Sequence, residues 1–117
     1  MQPTYEIKAR ILRILANPRR LEIVDLLHDR EMAVTEISQA LGVSQAATSQ
    51  HLAVLRNSGI LESRKERNFV RYKLADQRIG SACRMMNVVV LAVPLRESLR
   101  PAPAVGASAH QLLARDS

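Results

Sequence analysis

Two short apolar patterns joined at a glycine constrain this chain more than any other feature. Val34, Ile37 and Leu41 recur at spacings of three and four, and the run stops at Gly42, a residue that accepts the left-handed conformation a helix C-terminus commonly needs. After Val43, Ser44 is placed to cap a second helix, whose pattern runs from Gln45 to about Asn57 before Gly59 ends it. Two helices joined so tightly predict a helix-turn-helix. From Ile60 the period changes to alternation: Ile60, Leu61 and Glu62, a polar tip from Ser63 to Asn68, then Phe69 to Leu74. A two-stranded hairpin is expected directly after the second helix.

The flanks are helical. Ile7, Ile11, Ile14 and Leu15 mark a first helix that opens at Thr4 and stops at Asn17-Pro18. Asn17 suits an N-cap and Pro18 a first helical position, so a second helix starts there, with a stripe of Leu21, Val24 and Leu27 or His28 running to about Asp29. Beyond Asp76, an N-cap candidate, Ile79, Cys83, Met86, Val90 and Val93 form a seam suited to packing against another helix, against the strand propensity of Val88-Val89-Val90. The fold expected over residues 4–94 is mainly α (α+β), five helices plus the two-stranded hairpin. The Ala- and Pro-rich stretch 100–117 is expected to be a mobile tail, with a short turn near Gln111 to Ala114. No internal repeat is present.

A chain of 117 residues has the size of one domain, with a core small enough to gain from a partner subunit. Its longest apolar run, Val88 to Val93, is far short of the roughly 20 residues of a membrane span, and Glu6, Lys8 and Arg10 do not make a signal peptide. A cytoplasmic protein with no membrane partner is expected. Cys83, the single cysteine, can form neither an internal disulfide nor the thiolate cluster of a structural zinc site. No serine or cysteine has an evident base, no glycine-rich phosphate loop occurs, and His28, His51 and His110 are far apart in sequence, so an enzyme is not expected.

The net charge of +6 is unevenly distributed. Residues 1–43 balance, whereas residues 44–74 carry Arg56, Arg64, Lys65, Arg67, Arg71 and Lys73 against Glu62 and Glu66. A local excess of this kind favours a polyanion, because each neutralised phosphate releases condensed counterions; a solvated basic surface is the plainer alternative. On a helical wheel, Ala47, Thr48, His51, Leu52, Val54 and Leu55 share one arc of the helix that begins at Gln45. The opposite arc holds Gln45, Ala46, Ser49, Gln50, Ala53 and Arg56, short or polar side chains that permit close approach to a major groove. Glutamine can bond the N6 and N7 of adenine, while Arg56 is better placed for the backbone. His51, on the apolar arc, reads as a structural histidine bonded to neighbouring backbone. Arg64, Lys65 and Arg67 at the hairpin tip, with Arg71 on the return strand, would meet phosphates or the minor groove.

Over residues 4–94 the sequence resembles the ArsR/SmtB family, through Leu15-Ala16-Asn17-Pro18-Arg19-Arg20-Leu21, Ser44-Gln45 with Ser49-Gln50-His51-Leu52 and Leu55-Arg56, and Val70-Arg71-Tyr72-Lys73-Leu74. The resemblance implies a winged helix-turn-helix regulator of transcription, a homodimeric repressor that leaves an inverted-repeat operator when an inducer binds. It implies base reading by Gln45, Ala46, Ser49 and Gln50, backbone and wing contacts by Ser44, Arg56, Arg64, Lys65, Arg67 and Arg71, and a dimer interface including Ile7, Ile11, Ile79, Cys83, Met86 and Val90. The two cysteines of the family's metal-sensing motif are replaced by Ala33 and Thr35. At the second family metal site Asp76 remains, but Arg78, Val89 and Ala92 fill the other positions. No metal or other cofactor is therefore expected, as in the branch of the rhizobial nodulation repressors. Arg67-Asn68 stands where relatives place glycine, which leaves the turn geometry open. Two other readings stay open: a protein-interaction co-regulator with weak DNA binding, and a thiol-redox sensor acting through Cys83, although a lone buried cysteine more often behaves as a small hydrophobe.

Overall fold

A computed structural model describes residues 4–94 and Leu99. In chain order these form α1 (Tyr5–Leu15), α2 (Pro18–Leu26), β1 (Met32–Ala33), α3 (Val34–Leu41), α4 (Gln45–Asn57), β2 (Leu61–Glu66), β3 (Phe69–Leu74) and α5 (Gln77–Ala92). The expected mobile tail 100–117 and its turn lie outside the described residues.

Capping sets the helix boundaries. Thr4 Oγ1 accepts the Ile7 N–H at 3.1 Å, and Asn17 Oδ1 accepts those of Arg19 and Arg20 at 3.0 and 3.2 Å, with Pro18 at the first position where its missing N–H removes no helical bond. Ser44 Oγ accepts from Ala47 at 3.1 Å, and Asp76 Oδ1 from Arg78 at 2.9 Å. Gly42 ends α3 at φ 70°, and Gly59 turns the chain out of α4 at φ 86°. α2 ends at Leu26, three residues before the expected limit, because Asp29 takes φ 64° and cannot continue a right-handed helix.

The core lies where α2, α3, α4 and the sheet meet. Ile23, Val24 and Leu27 from α2 and its C-terminal end pack with Ile37 and Leu41 of α3, Leu52 and Leu55 of α4, and Ile60, Leu61 and Leu74 around the hairpin. Full burial of each such side chain is worth about 1.5–3 kcal/mol. The stripe expected on α2 is rotated: Ile23 is buried and Leu21 is exposed, since Leu21 faces the side of α1 and α5 rather than the core.

The sheet has three strands in the order β1-β3-β2, all antiparallel, not the two expected. Met32 pairs with Tyr72 and Ala33 with Arg71, which ties the lead-in to α3 onto the hairpin. The hairpin is also longer than the sequence predicts. β2 pairs with β3 from Leu61↔Leu74 to Glu66↔Phe69, leaving Arg67 and Asn68 as a two-residue turn. Arg67 adopts φ 54° where glycine would be at ease. Arg64 and Lys65 therefore lie on a strand and not at a tip.

Candidate nucleic-acid interface

α4 is held from one side only. Thr48, Leu52 and Leu55 are fully buried, and the Thr48 hydroxyl, turned inward, donates to the Ser44 carbonyl at 2.8 Å. Gln45, Ala46, Ser49, Gln50, Ala53 and Arg56 are exposed along the opposite side, as the wheel requires. Val54, assigned to the apolar arc, is exposed instead, because it lies at that arc's margin. The exposed strip carries amide and hydroxyl groups at its N-terminal end and a cation near its C-terminal end, and among the described residues none of those side chains is in an ion pair or side-chain hydrogen bond.

His51 sits at the edge of the buried arc. Its Nδ1 accepts from Arg20 Nε at 3.2 Å, so its partner is a side chain of α2 and not the neighbouring backbone expected from the sequence. Burial, followed by the charges of Arg20 and Arg19, pushes the imidazole pKa down. The neutral ring is the form that can accept.

On the wing, cross-strand pairing sets Arg64 opposite Arg71, an unfavourable arrangement by itself. Glu66 offsets it by bonding both guanidinium groups, at 3.2 and 3.1 Å. Arg64 also holds Glu31 at 2.8 Å, and Arg71 lies 3.5 Å from Glu36 on α3, whose carboxylate also accepts the Ala33 N–H at 2.8 Å. Hydrogen bonds from Arg64 and then Arg71 hold the Glu66 carboxyl below its ordinary pKa. Lys73 lies 3.8 Å from Glu62. Among the described residues, only Lys65 and Arg67 of the proposed wing cations have no acidic partner. No local pattern marks Glu31 and Glu36 as partners of wing arginines; the register of β1 on β3 makes the connection.

Of the residues expected at a dimer interface, Ile7, Ile11, Met86 and Val90 are exposed, whereas Ile79 and Cys83 are half-buried against the protomer's own core. Between α1, α2 and α5 lies an open apolar groove of about 540 Å³, lined by Ile11, Leu12, Leu15, Leu21, Ile79, Cys83 and Met86 among others. Burial, and then the Asp25 carboxylate, raises the Cys83 pKa, which disfavours the thiolate that redox chemistry needs. Among the described residues no three His, Cys, Asp or Glu side chains are grouped to hold a metal ion. The Asp76 carboxylate is engaged by the Arg78 guanidinium at 2.6–3.1 Å, which holds its pKa at about 2. Nor is any helix among the described residues long and apolar enough to cross a membrane.

A helix-turn-helix whose second helix presents a polar strip beside a β-hairpin defines the winged helix-turn-helix class. Residues 17–63 match the model of the bacterial regulatory protein, arsR family. The transcriptional activator HlyU of Vibrio cholerae is 40% identical over 77 residues, covering 66% of this chain and 71% of that one. The structure of NolR from Sinorhizobium fredii is 32% identical, with a TM-score of 0.67 over 80% of this chain and all of that one. The homodimeric winged helix-turn-helix DNA-binding domain of Mb0332 from Mycobacterium bovis is 34% identical, with a TM-score of 0.66 over 73% and 79% of the two chains. This chain belongs to the arsR family, whose members are transcriptional regulators and not enzymes.

Proposed function

We propose that this chain is a sequence-specific repressor that binds an inverted-repeat operator as a homodimer in the cytoplasm. The observation that carries this reading is the division of α4 into a fully buried arc and an exposed strip of Gln45, Ala46, Ser49 and Gln50. The strip enters the major groove and reads base edges, Gln45 and Gln50 being able to bond adenine in two-toothed fashion. Ser44 and Arg56 contact the backbone at either end of the helix, and the wing meets the flanking phosphates. The exposed apolar side chains of α1 and α5 are covered by the second protomer, which sets the two copies of α4 on half-sites about 34–36 Å apart. Homodimeric assembly and DNA binding are both stated for the Mycobacterium bovis domain. Repression follows if the operator overlaps a promoter; one relative, HlyU, is named an activator.

Selection of bound duplexes from a random pool, followed by titration of the enriched duplex and a scrambled one at two salt concentrations, tests the reading. An enriched inverted repeat that outbinds the scramble at both salts is expected. Weak binding without enrichment that vanishes at moderate salt would favour a protein-interaction role for the same scaffold. Gln45→Ala should relax base preference at one position of each half-site, by about 1–3 kcal/mol, measured as the change in the ratio of Kd between matched and substituted duplexes. Unchanged preference would remove Gln45 from the reading face.

A further inference from the structure

Arg20 connects three elements through one guanidinium. Its N–H is capped by Asn17, its Nε donates to His51 Nδ1 on α4 at 3.2 Å, and an Nη donates to the carbonyl of Ile14 in the last turn of α1 at 3.1 Å. The last contact has a cause in the sequence. In a helix the Ile14 carbonyl would be satisfied by the N–H four residues on, but that residue is Pro18, which has none. Arg20 supplies the missing donor, and its remaining reach is used on α4. Because α1 carries part of the exposed apolar face and α4 the polar strip, this fork is a side-chain link between the two surfaces on which the proposed function rests.

We propose that Arg20 and His51 are positioning residues for DNA reading, a pair that fixes α4 relative to α1 while the imidazole is neutral and releases it when the imidazole gains a proton. Arginine can only donate, so Nδ1 must be the unprotonated nitrogen and the proton must sit on Nε2. Protonation of Nδ1 removes the acceptor and places a cation against two others. The charged groups acting on the ring are Arg20 and Arg19, both from α2, and Arg19 in turn holds Glu22 at 2.9 Å. The sign follows from the direction of the shift. With the folded pKa below the ordinary imidazole value of 6.5, the neutral folded form gives its full contribution above about pH 6.5 and loses it as the pH falls from there through the folded pKa.

The test compares the wild-type chain with His51→Gln, whose amide oxygen can still accept from Arg20 but does not titrate. Kd for the enriched duplex, measured from pH 7.5 to pH 5, should rise roughly three- to tenfold for the wild type beyond any change shown by His51→Gln. An equal change in both proteins overturns the proposal. So does tighter wild-type binding in acid that His51→Gln abolishes, since it would mean that the charged ring meets phosphate. Nitrogen-resolved NMR of the imidazole in the wild-type chain needs neither DNA nor a variant. It should show the Nε2-protonated tautomer at neutral pH and a titration midpoint below 6.5; the Nδ1-protonated tautomer overturns the proposal. If no duplex is enriched, the proposed function fails by itself, and the NMR result alone decides whether the Arg20–His51 pair exists as described.

Discussion

α4 and α5 are helices of 13 and 16 residues in the same chain, yet they are stabilised in different ways. α4 places Thr48, Leu52 and Leu55 wholly inside the protomer and leaves polar groups outside. α5 fully buries only Gly80, half-buries Ile79 and Cys83, and leaves Met85, Met86, Val88, Val89, Val90 and Leu91 in solvent, Leu91 at 85% exposure. The reading role proposed for α4 needs a helix that is rigid before its ligand arrives, and the protomer's own core supplies that rigidity. α5 carries exposed apolar surface that its own protomer leaves uncovered, the surface a second copy would bury under the proposed function.

Leu52→Ala breaks the comparison on the α4 side. A fully buried leucine truncated against Ile23 and Leu55 should cost about 2–5 kcal/mol, read as a fall in the denaturant midpoint without change of slope. A cost below about 1 kcal/mol would show that α4 is not anchored as described. Gly80→Ala tests how closely α5 packs on the protomer, since an added Cβ would clash with the His28 ring and lie 3.1 Å from Leu74 Cδ1. Either His28 swings away from Ser81, whose hydroxyl lies 3.3 Å from its Nε2, or α5 lifts; the expected loss is about 1–3 kcal/mol of thermal stability. Met86→Glu combined with Val90→Glu sharpens the α5 side. Both side chains already face solvent, so the protomer's circular dichroism should be kept, while the dimer dissociation constant from sedimentation rises at least tenfold, or about 1.4 kcal/mol. An unchanged dimer would place the interface elsewhere.

The same contrast explains what could be read from the chain alone. The span and most of the buried arc of α4 were legible, Val54 excepted, because Ser44, the buried spacing and Gly59 all belong to one segment. The caps Asn17 and Asp76 were legible for the same reason, whereas Thr4 was read only as the start of α1 and its capping role came from the structure. What the sequence did not reveal depends on distant segments meeting. β1 is two residues long, too short for any period, and exists because Tyr72 and Arg71 lie beside it. Leu21 was assigned to the wrong face because Leu21 and Ile23 are both apolar, and only the placement of α1 and α5 decides which one turns inward. His51 was rightly given a structural partner, but the partner is 31 residues away in sequence.

The wing is where the structure most alters expectation, and its effects should be the smallest. From sequence, Arg64 and Lys65 look like equivalent tip cations. In the fold Arg64 is bound to Glu31 and Glu66, and Arg71 to Glu66 and Glu36, so their charges are already offset, while Lys65 and Arg67 have no acidic partner among the described residues. A phosphate contact from Lys65 would release a counterion at no cost in broken pairs; one from Arg64 would have to compete with two carboxylates. Lys65→Ala should therefore weaken binding to all duplexes alike and reduce the slope of log K against log salt by about 0.9, the value for one phosphate. Arg64→Ala should change that slope by much less and act instead through the wing's attachment, because it frees Glu31 and leaves Glu66 to Arg71 alone. Equal slopes for the two variants would show that DNA draws Arg64 out of its ion pairs, and that the wing rearranges on binding rather than meeting the backbone in the arrangement seen in the free chain.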